Sequence, residues 1–281
     1  MVVARNARGH LATTIHSLLD QSLKPKRLII IDDGSTDGSG AVVNDFVKRF
    51  PKLVTVVHLP DKGYDIRRVP SNINLAWRTA ESSDLETDYF MISGDDCTYS
   101  TDYVSRLTSR MDRISRLVVV SGRASSGADF RQEHSPAGSG RIIRCSFWRE
   151  TGEGYPIKAG WETWLLYKAL QRGYEVKLFP DLTFDHLRPR GAKHQFLYWG
   201  AAMMALGYQP LYAMGRIAKN ALTRRVTLRG SLNMLRGYLL ASIGSDDPFI
   251  SQFEPSLRHF VRRKQVERIR SLVRAAGRRV A

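Results

Sequence analysis

The adjacent carboxylates Asp32 and Asp33 are the strongest chemical signal in the sequence. They directly follow residues 28–31, four apolar residues of which three are β-branched, as is typical of a strand buried on both faces. In open α/β sheets, ligands bind at the carboxyl ends of the strands. Asp and Ser also favour helix N-caps, although one cap requires only one such residue. We therefore expect Asp32 and Asp33 to bind a ligand, with helix capping as the alternative.

A second pair of carboxylates, Asp95 and Asp96, follows another apolar run at residues 89–93. Gly94 separates this run from the pair, so a second cluster of carboxylates comes at the end of a predicted strand. The alternative is a capped turn before the helix that is predicted to begin near Tyr103. We expect a second ligand-binding position here.

Apolar periodicity predicts the elements that position these side chains. Buried or alternating strands are expected at residues 2–4, 28–31, 54–59, 89–93, 117–120, 141–147 and 176–179. Helical spacing follows several of these strands, for example after Ser39, near Pro70 and after Trp161. We therefore expect an α/β fold with a mostly parallel, Rossmann-like central sheet, helices on both of its faces, and a helical C-terminal extension.

The order and spacing of these motifs resemble those of family 2 glycosyltransferases of the GT-A fold. The resemblance rests on the Asp-Asp-Gly-Ser-Thr-Asp-Gly-Ser run at 32–39, Asn6, the stretch 67–74, the sequence 94–96, Trp161-Glu162 and His186, and it covers residues 1–190. It implies a nucleotide-diphosphate-sugar donor and a divalent cation, either Mg²⁺ or Mn²⁺. It also implies that the sugar is transferred to an acceptor hydroxyl with inversion.

The resemblance also implies roles for individual residues. Donor-binding roles fall on Ala4, Asn6, Asp32, Asp33, Arg67, Arg68, Asn72, Gly94 and Asp95. Metal-binding roles fall on Asp95, Asp96 and His186, whose oxygen and imidazole atoms suit such cations. Glu162 falls on the position of the catalytic carboxylate, which would take the proton of the acceptor hydroxyl.

Several of these roles have a structural alternative. Asn6 can cap the following helix, Arg67 and Arg68 can be solvated charges, Glu162 can stabilise a helix dipole, and His186 can be a structural histidine. The sequence also departs from the family pattern. Ser93 stands where the metal motif usually begins with Asp, Trp161 replaces an acidic residue, and Asn74 replaces Gly.

The C-terminal part of the chain is strongly basic. The formal net charge is +16, and residues 211–281 hold fifteen Lys or Arg against four Asp or Glu. Leu257, Val261, Ile269 and Val273 share one helical face surrounded by arginines, which predicts a basic amphipathic helix that binds an anionic membrane surface. The alternative is that this stripe packs on the catalytic domain. The sequence has no recognised nucleic-acid module, so we expect no nucleic-acid partner.

These observations predict two domains, a catalytic one at residues 1–190 and a basic helical extension at 191–281. Two cysteines and no long apolar run favour a cytoplasmic protein that is peripheral on the inner face of a membrane. The acceptor would be a glycan or a lipid-linked molecule, in cell-surface polysaccharide or glycolipid synthesis. The alternative function is a nucleotide-sugar-binding or nucleotidyltransferase-like protein without glycosyl transfer.

Overall fold

The computed structural model describes residues 1–82, 86–125, 135–188, 195–224, 226–244 and 246–277, with side chains described as far as residue 271. The chain forms two compact units. The first comprises residues 1–156 and 172–192, and the second comprises residues 157–171 and 193–281. The predicted boundary at residue 190 lies outside the described residues. The structure adds that residues 157–171, within the predicted catalytic domain, belong to the second unit.

The first unit alternates strands and helices along the chain. Its strands are β1 (Val2–Ala4), β2 (Leu28–Asp32), β3 (Val54–His58), β4 (Tyr89–Ile92), β5 (Cys97–Tyr99), β6 (Leu117–Ala124), β7 (Arg141–Arg144) and β8 (Glu175–His186). Its helices are α1 (Arg8–Leu19), α2 (Ser39–Arg49), α3 (Arg68–Glu81), α4 (Tyr103–Arg113) and α5 (Cys145–Glu150).

The strands β1, β2 and β3 form a parallel sheet with β2 in the centre. Its register pairs Ala4 with Asp32 and Asp32 with His58, so the carboxyl ends of the three strands lie side by side. A parallel bridge between Val2 and Ser93 joins β1 to the end of β4. The pair Asp95 and Asp96 therefore follows at the same edge as Asp32 and Asp33, where α/β sheets bind ligands.

The second sheet has the order β4-β7-β6-β8-β5 and mixes antiparallel pairs with the parallel pair β6–β8. The strand β5 pairs with β8 so that Cys97 lies opposite His186. This pairing brings the residues after β4 to the carboxyl end of β8. The α/β class is confirmed, and parallel pairing occurs in the sheet of β1 to β3 and between β6 and β8.

Strand β2 is buried on both faces, as its sequence predicts. Leu28 and Ile30 pack in the main core with apolar residues of α1 and α2. Ile29 and Ile31 point to the opposite face and pack with Ala76 of α3. Successive side chains of a strand alternate between its faces, so this division shows helices on both sides of the sheet.

Two segments differ from the pattern read in the sequence. The predicted strand at 141–147 ends at Arg144, because Cys145, Phe147 and Trp148 are buried on α5 instead. Strand β8 continues far beyond residue 179. An irregularity beside Gly122 accommodates residues 180–182, after which β8 resumes its pairing and carries His186 to the site.

The second unit is helical. Its helices are α6 (Trp161–Gln171), α7 (Phe196–Ala205), α8 (Pro210–Leu222), α9 (Leu228–Ile243) and α10 (Pro255–Gly277), with a short 3₁₀ helix at Pro248–Ile250. Residues of α6 belong here because α6 contacts α10, and Lys168 forms a 2.7 Å ion pair with Glu254. No helix among the described residues is long and apolar enough to cross a membrane.

The stripe predicted on α10 divides into two parts. Leu257 and Val261 are fully buried within the second unit, whereas Ile269 is 44% exposed. The side chain of Val273 lies outside the described residues. The N-terminal half of α10 therefore packs within the second unit, which also contains α6 from the predicted catalytic domain.

Candidate active site

The two carboxylates that follow β2 have different partners. Asp32 is buried, accepts a 3.0 Å hydrogen bond from the backbone N–H of Ser35, and lies 2.9 Å from the Nδ1 atom of His58. Both of its oxygens are thus engaged in the turn and in the neighbouring strand. Asp33 instead meets Arg68, whose Nε and Nη2 atoms donate to its two oxygens at 3.1 and 3.0 Å.

The Asp33–Arg68 pair is a bidentate ion pair at the carboxyl edge of the parallel sheet. Both side chains are largely buried, and the hydrogen bonds to Asp33 raise the pKa of Arg68. Arg67, by contrast, is exposed and pairs with Asp65 two residues before it. Of the two arginines that the sequence proposes for donor binding, Arg68 is the one that the structure joins to Asp33.

Arg5 connects the loops around this edge. Its guanidinium donates to the backbone carbonyls of Asp33 and Gly34 and forms a 2.6 Å bond with Asp61. Its backbone N–H donates to Asp95 Oδ2 at 3.2 Å. One residue thereby fixes the loops that follow β1, β2 and β3 and also contacts the second carboxylate pair.

Asn6 adopts a left-handed backbone conformation with φ of 49°. Its side-chain oxygen accepts a 2.8 Å hydrogen bond from the N–H of Thr36, and its own N–H donates to Ser35 Oγ. The N-cap of α1 is Ala7, without a side-chain cap, so Asn6 does not cap that helix. Ala4 is buried in the core, and its carbonyl accepts a hydrogen bond from the N–H of Asp33, so it helps to position the loop that follows β2.

Asp95 and Asp96 converge on one cationic side chain. The guanidinium of Arg188, two residues beyond β8, donates to Asp95 Oδ1 and, at 3.3 Å from its Nε atom, to Asp96 Oδ2. His186 lies with its Nδ1 atom 3.5 Å from Asp96 Oδ1. The four side chains are each less than one quarter exposed, so their charges interact with little screening by solvent.

The two carboxylates of this cluster differ in their acidity. Burial raises the pKa of Asp95, and the charge of Arg188 only partly offsets that effect. Burial acts in the same direction on Asp96, but its hydrogen bond with His186 and the charge of Arg188 outweigh it and lower its pKa. Asp96 is therefore the more readily ionised of the two carboxyl groups.

The donor atoms of the cluster fit a divalent cation. Ligand atoms of Asp96, Cys97 and His186 lie within 4.8 Å of one another. Burial raises the pKa of the Cys97 thiol to about 12, and its sulfur is a softer donor than Mg²⁺ or Mn²⁺ prefers. The oxygens of Asp95 and Asp96 already share the positive charge of Arg188. Two convergent carboxylates beside an imidazole suit Mn²⁺ or Mg²⁺.

Three further residues have structural roles of their own, and two of them, Ser93 and Asn74, are positions where the sequence departs from the family pattern. Ser93, which stands where the metal motif usually begins, is buried and hydrogen-bonded to Tyr99. Gly94 allows close approach, because a Cβ atom there would lie 3.0 Å from Asp96 Oδ1. Asn74 bonds through its amide to both the N–H and the carbonyl of Tyr155, and thus ties α3 to the loop after α5.

Asn72 carries an unsatisfied polar atom. The residue is 4% exposed, and its side-chain Nδ2 has no hydrogen-bond partner among the described residues. A buried amide without a partner is costly, and a bound ligand is one way to satisfy it. This observation fits the donor-binding role that the sequence resemblance implies for Asn72.

Glu162 belongs to the second unit. It lies in the first turn of α6, where a carboxylate stabilises the helix dipole, and it is partly buried. Among the other predicted site residues, Asp33 and Arg68 are brought together, and so are Asp95, Asp96 and His186.

The sequence patterns did not single out Arg5 and Arg188 as site residues. Arg5 takes a position that is usually Tyr in the family resemblance, and Arg188 lies in a basic turn after His186. The signal that could have found Arg188 is its spacing of two residues from His186, which puts it beside the carboxylates once β8 is recognised as a long strand.

Comparisons with known proteins identify the family and the fold of this chain. The chain matches the family "Glycosyl transferase family 2" over residues 1–173. No curated protein sequence matches it.

Among solved structures, it resembles the mannosyltransferase PcManGT from Pyrobaculum calidifontis in complex with GDP-Man and Mn²⁺, with 15% identity and a TM-score of 0.57 over 87% of this chain and 74% of that one. It also resembles S. aureus TarS 1-349 in complex with UDP-GlcNAc, with 14% identity and a TM-score of 0.56 over 84% and 78% of the two chains.

Proposed function

Because this chain is a glycosyltransferase that belongs to glycosyl transferase family 2, we propose that it transfers a sugar from a nucleotide-diphosphate-sugar donor to an acceptor hydroxyl. We further propose that the reaction uses a divalent cation held by Asp95, Asp96 and His186 and that it inverts the anomeric configuration. The observation that carries the proposal is the convergence of two carboxylates and an imidazole at the edge that also holds the Asp33–Arg68 pair.

The donor would bind along the carboxyl edge of β1 to β4. Asp33, Arg68 and Asn72 are the side chains best prepared for it, because the first two are fixed by their ion pair and the third has an unsatisfied amide. Asp32 and Arg5 would shape the loops rather than contact the donor, since Asp32 accepts from the backbone N–H of Ser35 and Arg5 donates to the backbone carbonyls of Asp33 and Gly34. GDP-Man and UDP-GlcNAc, which the two structural neighbours bind, indicate the class of donor.

When bound, the cation would neutralise charge that develops on the leaving diphosphate. Arg188, which already spans both carboxylates, would share this task from the protein side. Glu162 would take the proton of the attacking acceptor hydroxyl, in line with its register relative to Gly173. One displacement with one base inverts the configuration at the anomeric carbon.

The acceptor would be a glycan or a lipid-linked molecule at a membrane surface. The support is the concentration of positive charge in the second unit, which attracts anionic lipid. We propose that the enzyme is peripheral on such a surface, and that it serves cell-surface polysaccharide or glycolipid synthesis.

A second candidate function is nucleotide-sugar binding, or nucleotidyl transfer, without glycosyl transfer. The observation that favours it is Ser93, since a hydroxyl bonded to Tyr99 replaces one carboxylate of the usual metal motif. Donor hydrolysis separates the two candidates. A glycosyltransferase releases nucleoside diphosphate slowly when water replaces the acceptor, whereas a protein that only binds the donor releases none.

A thermal-shift screen tests the donor site directly. Nucleotide sugars of different bases and sugars are added with Mn²⁺, and a cognate donor raises the melting temperature by mass action. The Asp95→Asn variant should lose most of this shift, while the matched Asp45→Asn variant, on the exposed face of α2, should keep it. Equal shifts in both variants would contradict the placement of the donor and metal beside Asp95.

A further inference from the structure

Helix α9 exposes its leucines to solvent. Leu228, Leu232, Leu239 and Ile243 are between 50% and 80% exposed. At 100° per residue these positions fall within an arc of roughly 60°, so they form one continuous stripe along the helix. Helices of soluble proteins usually turn such a stripe toward the core, and here the opposite face is buried.

Close packing against α7 fixes this orientation. The buried face of α9 contains Gly230, Ser231, Met234, Gly237, Tyr238 and Ala241. A Cβ atom on Gly237 would lie 1.9 Å from the carbonyl oxygen of Leu197, and one on Gly200 would lie 1.8 Å from that of Met234. The two backbones touch where these glycines lie. A leucine cannot replace either glycine in that contact, so the leucine stripe must face away from α7.

Helix α8, which contacts α9, carries a second exposed apolar pair. Leu211 and Leu222 are 87% and 84% exposed and lie three turns apart on the same side of the helix. We call these two residues and the four of α9 the leucine face. Isolated exposed leucines are common, but two adjacent helices with such stripes are typical of an interaction surface.

The charges around the leucine face have one sign. Residues 210–243 contain six Lys or Arg and no Asp or Glu. Lys219, Arg224, Arg229 and Arg236 are exposed beside the apolar residues. On α10, by contrast, Arg263 and Lys264 both pair with Glu267. The cations of α8 and α9 are therefore opposed by no carboxylate within their own segment.

We propose that the leucine face docks on an anionic lipid bilayer, with its leucines in the headgroup region and its cations on lipid phosphates. Apolar side chains flanked by Lys and Arg are the composition of helices that lie in a membrane interface. A second copy of the chain fits less well, because the same unopposed cations would then face each other. This inference rests on the peripheral location proposed above, and it assigns the contact to α8 and α9 instead of α10.

Co-sedimentation with vesicles tests this assignment. Full-length protein should pellet with vesicles of phosphatidylcholine and phosphatidylserine at low salt, remain in the supernatant with phosphatidylcholine alone, and dissociate as salt increases. The variant Leu232→Glu/Ile243→Glu should bind about tenfold or more weakly. The matched control Ile269→Glu changes an exposed apolar residue of α10 and should bind as the unmodified protein does.

Several outcomes would overturn the inference. One is that the wild-type protein stays in the supernatant with anionic vesicles. The others are that Leu232→Glu/Ile243→Glu binds the vesicles as tightly as the wild-type protein, or that Ile269→Glu loses as much binding as that variant. A dimer in solution that the leucine-face variant dissociates would assign the surface to a second copy. The donor-induced thermal shift is measured on the same samples without vesicles. A normal shift with failed vesicle binding overturns the docking surface alone, whereas a missing shift overturns the proposed enzymatic function.

Discussion

Arg188 donates one hydrogen bond to Asp95 and another to Asp96. The sequence resemblance assigns both donor binding and metal binding to Asp95. The protein thus supplies a cation of its own at the position where a divalent cation is proposed. A metal ion must share or displace this guanidinium to reach the carboxylates. Arg188 would then be free to contact the leaving diphosphate of the proposed reaction, whose charge the proposed metal would also neutralise.

Replacing Arg188 tests this competition. Arg188→Ala removes the competing charge, so Mn²⁺ should bind the donor-free protein about three to ten times more tightly. Electron paramagnetic resonance of free Mn²⁺ measures the affinity without any turnover. Arg67→Ala is the control, because Arg67 is exposed and forms an ion pair with Asp65. Weaker Mn²⁺ binding by Arg188→Ala would show that the guanidinium supports the metal site instead of competing for it.

The Asp33–Arg68 pair should matter for both folding and donor binding. Arg68→Met leaves the buried Asp33 carboxylate without its partner, which should lower the free energy of unfolding by about 3 kcal/mol. It should also reduce the donor-induced thermal shift. Urea denaturation measures the first effect, and Arg67→Met, at an exposed pair, should change it by less than about 1 kcal/mol. Equal effects of the two substitutions would contradict the special role of Arg68.

Glu162 is the proposed general base. Glu162→Gln should lower turnover by about two to four orders of magnitude, the usual contribution of such a group, and should leave the donor-induced thermal shift near normal. The control is Glu175→Gln, at an exposed position where β8 begins. A decrease in turnover of less than about threefold would place the base elsewhere, with Asp185 and Glu153 as the next candidates.

The contact between α7 and α9 predicts an unusual response to glycine substitution. Gly237→Ala should destabilise the protein by about 3 kcal/mol, since its Cβ atom would overlap the carbonyl of Leu197. Gly215→Ala, on α8, meets no atom within 4 Å and should stabilise by up to about 1 kcal/mol through helix propensity. Thermal unfolding measures the stability of both variants. A Gly237→Ala variant as stable as the wild-type protein would contradict the close contact between α7 and α9.

Local pattern was sufficient to predict much of the site. The run before Asp32 indicated a buried strand, and the structure places its side chains on both faces of the sheet. The carboxylate pairs were expected at strand ends, and they lie there. Local pattern could not predict that Asp33 pairs with Arg68, because the two residues are 35 positions apart in the sequence.

Other features depended on packing that periodicity does not reveal. The apolar stripe of α10 has the pattern of an amphipathic helix that binds a membrane surface, but Leu257 and Val261 are buried within the second unit. In α9, apolar residues lie on more than one side of the helix, and the glycine contacts with α7 determine which face is exposed. The course of β8 past Pro180 depends on an irregularity opposite Gly122 of β6, and neither residue alone reveals that the strand resumes beyond it.

The release of nucleoside diphosphate from the cognate donor tests the central claim most directly. Wild-type protein should release it only with Mn²⁺ or Mg²⁺ and should stop when the metal is chelated. Asp95→Asn should abolish this metal-dependent release while its far-ultraviolet circular dichroism stays unchanged. Release by Asp95→Asn at the wild-type rate, with metal still required, would contradict the account.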